Sequence, residues 1–352
     1  MAQYRYICFF LVPKRSHDGG YTILFRSSKY TVKIETIDAL ENLRESSRSG
    51  LAWDCLFVLP FWLRTVWRHL GCQGEPYILS VTDGSQVIGI TPLSIDGPTA
   101  RFLGNPDVCD YQDIIAVPGQ ETQVMTAVVS HLKTQGVQRM DLQTLRPDAI
   151  ALKALRELEK QSNLDLSVQP DEVTYEANLL SSWEDYLMQM NGKQRHEVRR
   201  KIRRLENSGS FAYRMADQDH TLAYAADHFL RLFHMNRADK AEFMNETMSA
   251  YFRELINALA GHQMLRLYFL EIAGNMAATV LCFDYNRVRY LYNSGYDAHY
   301  HDLSVGVLSK VLSIQAGIEA GCQRYDFLKG AETYKKHLGG HEVPLYRCKL
   351  TL

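Results

Sequence analysis

The stretch "PFWLRTVWRHLG" places Phe61, Trp62, Val66 and Leu70 along one side of a helix, with Pro60 in its first turn and Gly71 at its end. Beyond it the period shortens. "PYILSVTDGSQVIGITPLSI" alternates in strand fashion on both sides of Asp83-Gly84, which predicts a hairpin. "YQDIIAVP" reads as a strand, "ETQVMTAVVSHLKTQG" as a helix, "VQRMDLQTL" as a strand and "RPDAIALKALRELEKQ" as a further helix. The second half opens with helices: "SWEDYLMQMNGKQRHEVRRKIRRLENSG", broken near Asn191-Gly192, then "HTLAYAADHFLRLFHMNRA" and "ETMSAYFRELINALAG". Three strands follow, "MLRLYFLEI", "MAATVLCFDY" and "RVRYLYNSGY", with turns at Gly274-Asn275 and at "YNR". The helix "SVGVLSKVLSIQAGIEAG" then leads into a closing strand, "CQRYDFL".

A short text repeats within this order. "GVQRMD" begins at Gly136 and "GCQRYD" at Gly321, and Gly, Gln, Arg and Asp match at a constant offset. In both places an apolar helix ends at the glycine and a strand follows. The repeat predicts two related α/β halves, over residues 21–170 and 171–352. The copies part company afterwards: the first continues "LQTLRP", the second "FLKGAETYKK".

Composition narrows the function classes. Thirty-nine basic and forty acidic side chains leave a formal charge of −1, so the whole molecule is not built to attract nucleic acid. The seven cysteines are scattered, odd in number and without CxxC spacing, which points to buried thiols in a reducing compartment. The apolar run "YICFFLV" is too short to span a bilayer and lacks the plan of a signal peptide, so a cytoplasmic protein is expected. "HYH" at 299–301 finds no third ligand at metal spacing, and no HExxH, GxSxG or P-loop text is present, so no metal is expected.

Local clusters carry the chemistry. The helix opening "SVGVLSK" offers free amides to an anion, with Ser304 or Asp302 as its cap and Gly306 allowing close backbone approach; a plain capped helix is the alternative. Between Lys193 and Arg204 the chain carries seven Lys or Arg, over an apolar seam of Val198, Ile202 and Leu205. Phosphate, nucleic acid, an anionic lipid or a sugar are partners for that helix, beside a merely solvated basic face.

On four stretches the chain resembles the BioF2-like or CelD-like acetyltransferase domain of the GNAT superfamily, related to the FemAB aminoacyltransferases. These are "KQRHEVRRKIRR", "FLRLFHMNRADK", "RYLYNSGYDAHYHDLSVGVLSKVLSIQAGIEAG" and "YDFLKGAETYKKHLG", the last similar to a D-F-x-x-G-x-E-x-Y-K signature. The resemblance covers about residues 180 to 345. It implies two tandem GNAT-like folds, with mixed sheets flanked by helices, and transfer of an acyl group from acetyl-CoA or another acyl-CoA to an amine or hydroxyl, on a small-molecule, saccharide or peptide acceptor, as in envelope or exopolysaccharide synthesis. Asp326, Glu332, Tyr334 and Tyr296 are then the candidate catalytic groups. Ser304, Val305, Gly306, Lys329, Lys335 and Arg199 are the candidates for the cofactor, and Arg195 and Asp297 for the acceptor. An aminoacyl-tRNA-dependent transferase and a non-enzymatic assembly module stay open, as does the role of the first half.

Overall fold

The computed structural model describes residues 30–46, 50–162, 164–216, 222–236 and 244–352, together with three two-residue strand pieces before residue 27. The apolar run at residues 6–12 lies outside them. The chain divides into two compact units, Met1–Asp171 with Pro344–Leu352, and Glu172–Val343.

In the first unit, β1 (Tyr30–Glu35), β2 (Glu75–Asp83), β3 (Gln86–Asp96), β4 (Thr99–Phe102), β5 (Arg139–Leu145) and the chain's last strand follow one another across a sheet. Every neighbouring pair is antiparallel except β4 with β5. The β2–β3 hairpin turns at Asp83-Gly84 as the alternation predicts, with Gly84 at φ +59°. Period-2 alternation then divides the core. Leu79 and Val81 pack with α3 (Glu121–Thr134) and α4 (Ile150–Gln161), through Val124, Val128, Leu152 and Leu155. Ile78 and Ile90, on the other face, pack with Leu40 of α1 (Ile37–Glu45) and Leu63 of α2 (Pro60–Leu70).

The second unit repeats the plan. Its sheet runs in the order β7 (Phe211–Met215), β8 (Leu265–Ile272), β9 (Asn275–Tyr285), β10 (Val288–Tyr296), β11 (Arg324–Lys329) and β6 (Asp165–Asn178). Again one pair is parallel, β10 with β11, and α9 (Val305–Glu319) makes the crossover between them. The predicted break at Asn191-Gly192 is real: α5 (Trp183–Gln189) ends, and Asn191 opens α6 (Gly192–Glu206) with a capping box to Gln194. Two further helices are α7 (Leu222–Asn236) and α8 (Glu246–Gly261).

The textual repeat is a structural one. Gly136 and Gly321 both follow their helices at positive φ, +79° and +75°, and lead into the strand of the parallel pair. Both echoed aspartates bond to the strand beside them: Asp141 takes two hydrogen bonds from Arg347, and Asp326 takes one from Thr174 at 3.4 Å.

Several elements depart from the sequence reading. "YQDIIAVP" forms only a two-residue strand, Ile115–Ala116. β1, α1, β6, β7 and β12 (His341–Thr351) have no counterpart in it, because they are short or carry exposed polar runs whose order comes from strand pairing. The region 171–352 is divided too: Pro344–Leu352 belongs with the first unit, where β12 pairs antiparallel with β5. None of the six described cysteines forms a disulfide, and burial pushes Cys282 up to about 12, which keeps it inert.

Candidate active site

The parallel pair of the second unit is short. β10 and β11 are in register only from Val288–Tyr290 against Arg324–Asp326. Past that point β10 stays with β9 and β11 stays with β6, so the two strands part. A bulge contributes. Leu281 faces Asn293 but Cys282 faces Leu291, leaving Tyr292 as an extra residue in β10. A cavity of about 500 Å³ lies at the open end, walled by Ser294 and Tyr296 of β10, the first turn of α9, Lys201 of α6, and Glu332 and Tyr334.

The turn into α9 is braced rather than capped. Ser304 sits at φ +56° and makes no side-chain cap. Its hydroxyl instead accepts from Lys201 Nζ at 2.9 Å, and the Asp302 carbonyl accepts from Arg204 at 2.7 Å. The amides of Val307 and Leu308 turn back to the Ser304 carbonyl. Those of Val305 and Gly306 have no backbone acceptor among the described residues, and both residues line the cavity. Gly306 has a different use from the expected one: a Cβ there would stand 2.7 Å from Tyr296 Cδ1, so the glycine admits the tyrosine ring. Lys310, one turn on, donates to the Gly306 carbonyl at 2.7 Å and lies 5.0 Å from the centre of the Tyr334 ring.

Beneath α9 the sheet holds a fully buried Arg289. Asp284 accepts two bonds from it at 2.8 Å, and the mid-helix carbonyl of Ser313 accepts a third at 3.0 Å. The buried pair ties α9 to the sheet and so fixes where its N-terminus points.

The signature stretch divides between scaffold and cavity. Asp326 is fully buried on β11, and its Oδ1 accepts from the Leu328 amide at 2.8 Å, holding Leu328 at φ +60°. It lies under the turn and is not among the residues that line the cavity, unlike the other candidate catalytic groups Glu332, Tyr334 and Tyr296. Lys335, 1% exposed, donates to the carbonyls of Leu328, Lys329 and Gly330 at 2.9, 2.5 and 3.1 Å and pairs with Glu332 at 2.8 Å. The ammonium of this cofactor candidate is thus committed to the turn. The half-buried Lys329 lends the turn its carbonyl. Gly330, at φ +107°, leaves room for the Glu332 carboxylate. Glu332 itself is exposed at the cavity wall, and Tyr334 is half-buried there. Burial, with Glu332 second, pushes the Tyr334 phenol well above its ordinary value.

Three more residues sit apart from the cavity. Arg199 pairs with Glu184 of α5 at 2.5 Å, and Arg195 reaches back to the Met190 carbonyl at 3.4 Å. Asp297 caps the 3-10 turn Ala298–Leu303 through the His299 amide at 2.9 Å. The face of α6 that meets the cavity carries Lys201, and sequence reasoning passed over it and Lys310, Ser294 and His301. Lys310 had a signal: it stands four residues after Gly306 and shares its helix face.

Residues 192–336 match the family model described as an acetyltransferase (GNAT) domain. This stretch is a GNAT-type acetyltransferase domain. No curated protein matches the chain in sequence. Among solved structures, the GNAT-bearing chain is similar to FemX, with a TM-score of 0.57 at 11% identity over 90% of this chain and 96% of that one. It is also similar to a conserved protein of unknown function from Bacteroides thetaiotaomicron, with a TM-score of 0.58 at 10% identity over 91% and 99%. L-PGS from Bacillus licheniformis follows at 0.52 and 9% identity, over 80% and 86%. At such identities these likenesses show the fold alone, mixed sheet flanked by helices. No described helix is long and apolar enough to cross a membrane.

Proposed function

We propose that the GNAT domain transfers an acyl group from an acyl-CoA thioester to an amine or hydroxyl acceptor, in the cavity between β10 and β11. One observation carries the reading: the strands part beside two helix amides without a backbone acceptor among the described residues, with Lys201 at that turn and Lys310 one turn on. That arrangement suits the pyrophosphate of CoA at the helix end and its pantetheine arm in the gap. The thioester, when bound, supplies an activated carbonyl.

Transfer forms a C–N or C–O bond and breaks the C–S bond, so a proton must leave the acceptor and negative charge must be stabilised on oxygen and then sulfur. Glu332, held by Lys335, is placed to take the proton. Tyr334, kept protonated by burial, is placed to donate a hydrogen bond to the developing charge, and its raised pKa makes it a poor full proton donor to a thiolate. Tyr296 shapes the wall through its contact with Gly306.

The reading of an aminoacyl-tRNA donor needs a polyanion platform, and α6 offers little of one. Arg195, Arg199, Arg200, Lys201 and Arg204 are engaged within the chain, leaving Lys193 and Arg203 as its outward charge. Calorimetry with acetyl-CoA and desulfo-CoA tests the proposal. One saturable site for both is expected, and absence of heat and of protection against unfolding with either ligand would sink it.

A further inference from the structure

A second cavity, wholly within the second unit, adjoins the one between β10 and β11. It measures about 440 Å³ and lies between α6, the first turn of α9 and the short helix Thr333–His337. The two cavities share Lys201, Val307 and Tyr334 as walls. Their chemistry differs. The first gathers helix amides and lysines, whereas the wall of the second is predominantly apolar.

Val198, Val307, Tyr334 and Leu338 supply that apolar wall, and all four belong to one hydrophobic cluster. The polar side chains beside them are already engaged. Gln194 donates to the Lys336 carbonyl at 2.8 Å and accepts from the Asn191 amide at 3.1 Å. Glu197, the single carboxylate of the lining, accepts from Arg200 through both oxygens at 2.8 Å and pairs with Lys201 at 3.1 Å. Lys193 and His337 are exposed to water. An apolar guest gains by leaving water here, whereas an ammonium would lose its hydration for a carboxylate that is already taken.

Position selects the guest. Tyr334 is the group placed against the charge that develops at the thioester carbonyl, and it is also a wall of the second cavity. The remaining substituent of that carbonyl carbon is the acyl chain, which therefore stands beside the apolar wall. An acetyl methyl would leave the space empty, since about 440 Å³ holds on the order of ten water-sized groups. We propose that the second cavity receives the acyl chain, so that the donor is an unbranched aliphatic acyl-CoA of roughly six to ten carbons. This assignment rests on the acyl-CoA reading of the neighbouring cavity.

Calorimetry of the full chain with octanoyl-CoA, acetyl-CoA and desulfo-CoA tests it. Octanoyl-CoA is expected to bind about tenfold or more tighter than acetyl-CoA, because each methylene leaving water is worth up to roughly fourfold. Val198→Phe adds bulk at a wall that belongs to the second cavity alone, and should erase that difference while desulfo-CoA binds as before. Should that variant not fold, His337→Trp on the exposed side of the same cavity decides, with the same result expected. Equal affinity for octanoyl-CoA and acetyl-CoA would overturn the assignment, as would a preference unchanged in the variants. A loss that desulfo-CoA shares equally would also overturn it, since the cavity would then hold part of CoA itself. All three of these outcomes leave the CoA site standing. Absence of heat with every ligand, desulfo-CoA included, takes the CoA site away and this assignment with it.

Discussion

Lys201 and Arg199 stand two positions apart on α6 and do opposite work. Lys201 holds Ser304 at the mouth of the cavity, whereas Arg199 pairs with an exposed glutamate on α5. Lys201→Ala should weaken binding of acetyl-CoA by about tenfold, the value of one charge-assisted contact. Arg199→Ala should leave the dissociation constant unchanged, and the pair is read by calorimetry on both variants. Lys335 makes a second residue-scale case. Replacing it with Met leaves one buried and two half-buried carbonyls without their donor and Glu332 without its partner. A stability loss of about 3 kcal/mol is expected in denaturant titration, with turnover reduced even where binding persists.

At the scale of elements, the site depends on how α9 enters. Arg289 and Asp284 anchor the helix from below, and Tyr296 fills the space that Gly306 leaves. Gly306→Ala should therefore act through packing: about 1–3 kcal/mol of lost stability and a weakened CoA site, checked by thermal melts with and without ligand. A melt unchanged by this substitution would mean that the tyrosine ring yields freely. The elements themselves were largely readable, since the α2 helix, the β2–β3 hairpin, the split between α5 and α6, and α9 all follow periodicity and punctuation. Facing was not readable. The sequence places Arg195, Arg199 and Lys201 on one basic helix, but only the docking of Val198 and Leu205 decides which of them meets the cavity.

For the whole molecule, stability should vary with pH through a buried imidazole. Burial lowers His131 from 6.5 to about 4, with Tyr77 Oη 2.8 Å from Nε2. The unfolded chain takes this proton first as pH falls. The contribution is thus fully present above 6.5 and lost towards 4, amounting to about 3 kcal/mol at most. Asp113, raised by burial to about 7, works in the other direction, costing stability as pH climbs from 3.8. His131→Gln should flatten the acid side of the stability curve, measured by denaturant titration at several pH values. The sequence alone determined the duplicated plan, because helix periods, turn residues and the Gly-Gln-Arg-Asp echo are local and survive without a partner. It also marked the stretch from Asp326 to Lys335 as special. Tertiary structure alone decided that Asp326 and Lys335 hold the turn while Glu332 and Tyr334 face the cavity. It decided, too, that β12 pairs with β5 in the first unit and β6 with β11 in the second. Both decisions rest on contacts between residues far apart in the chain, and spacing along the sequence carries no record of those.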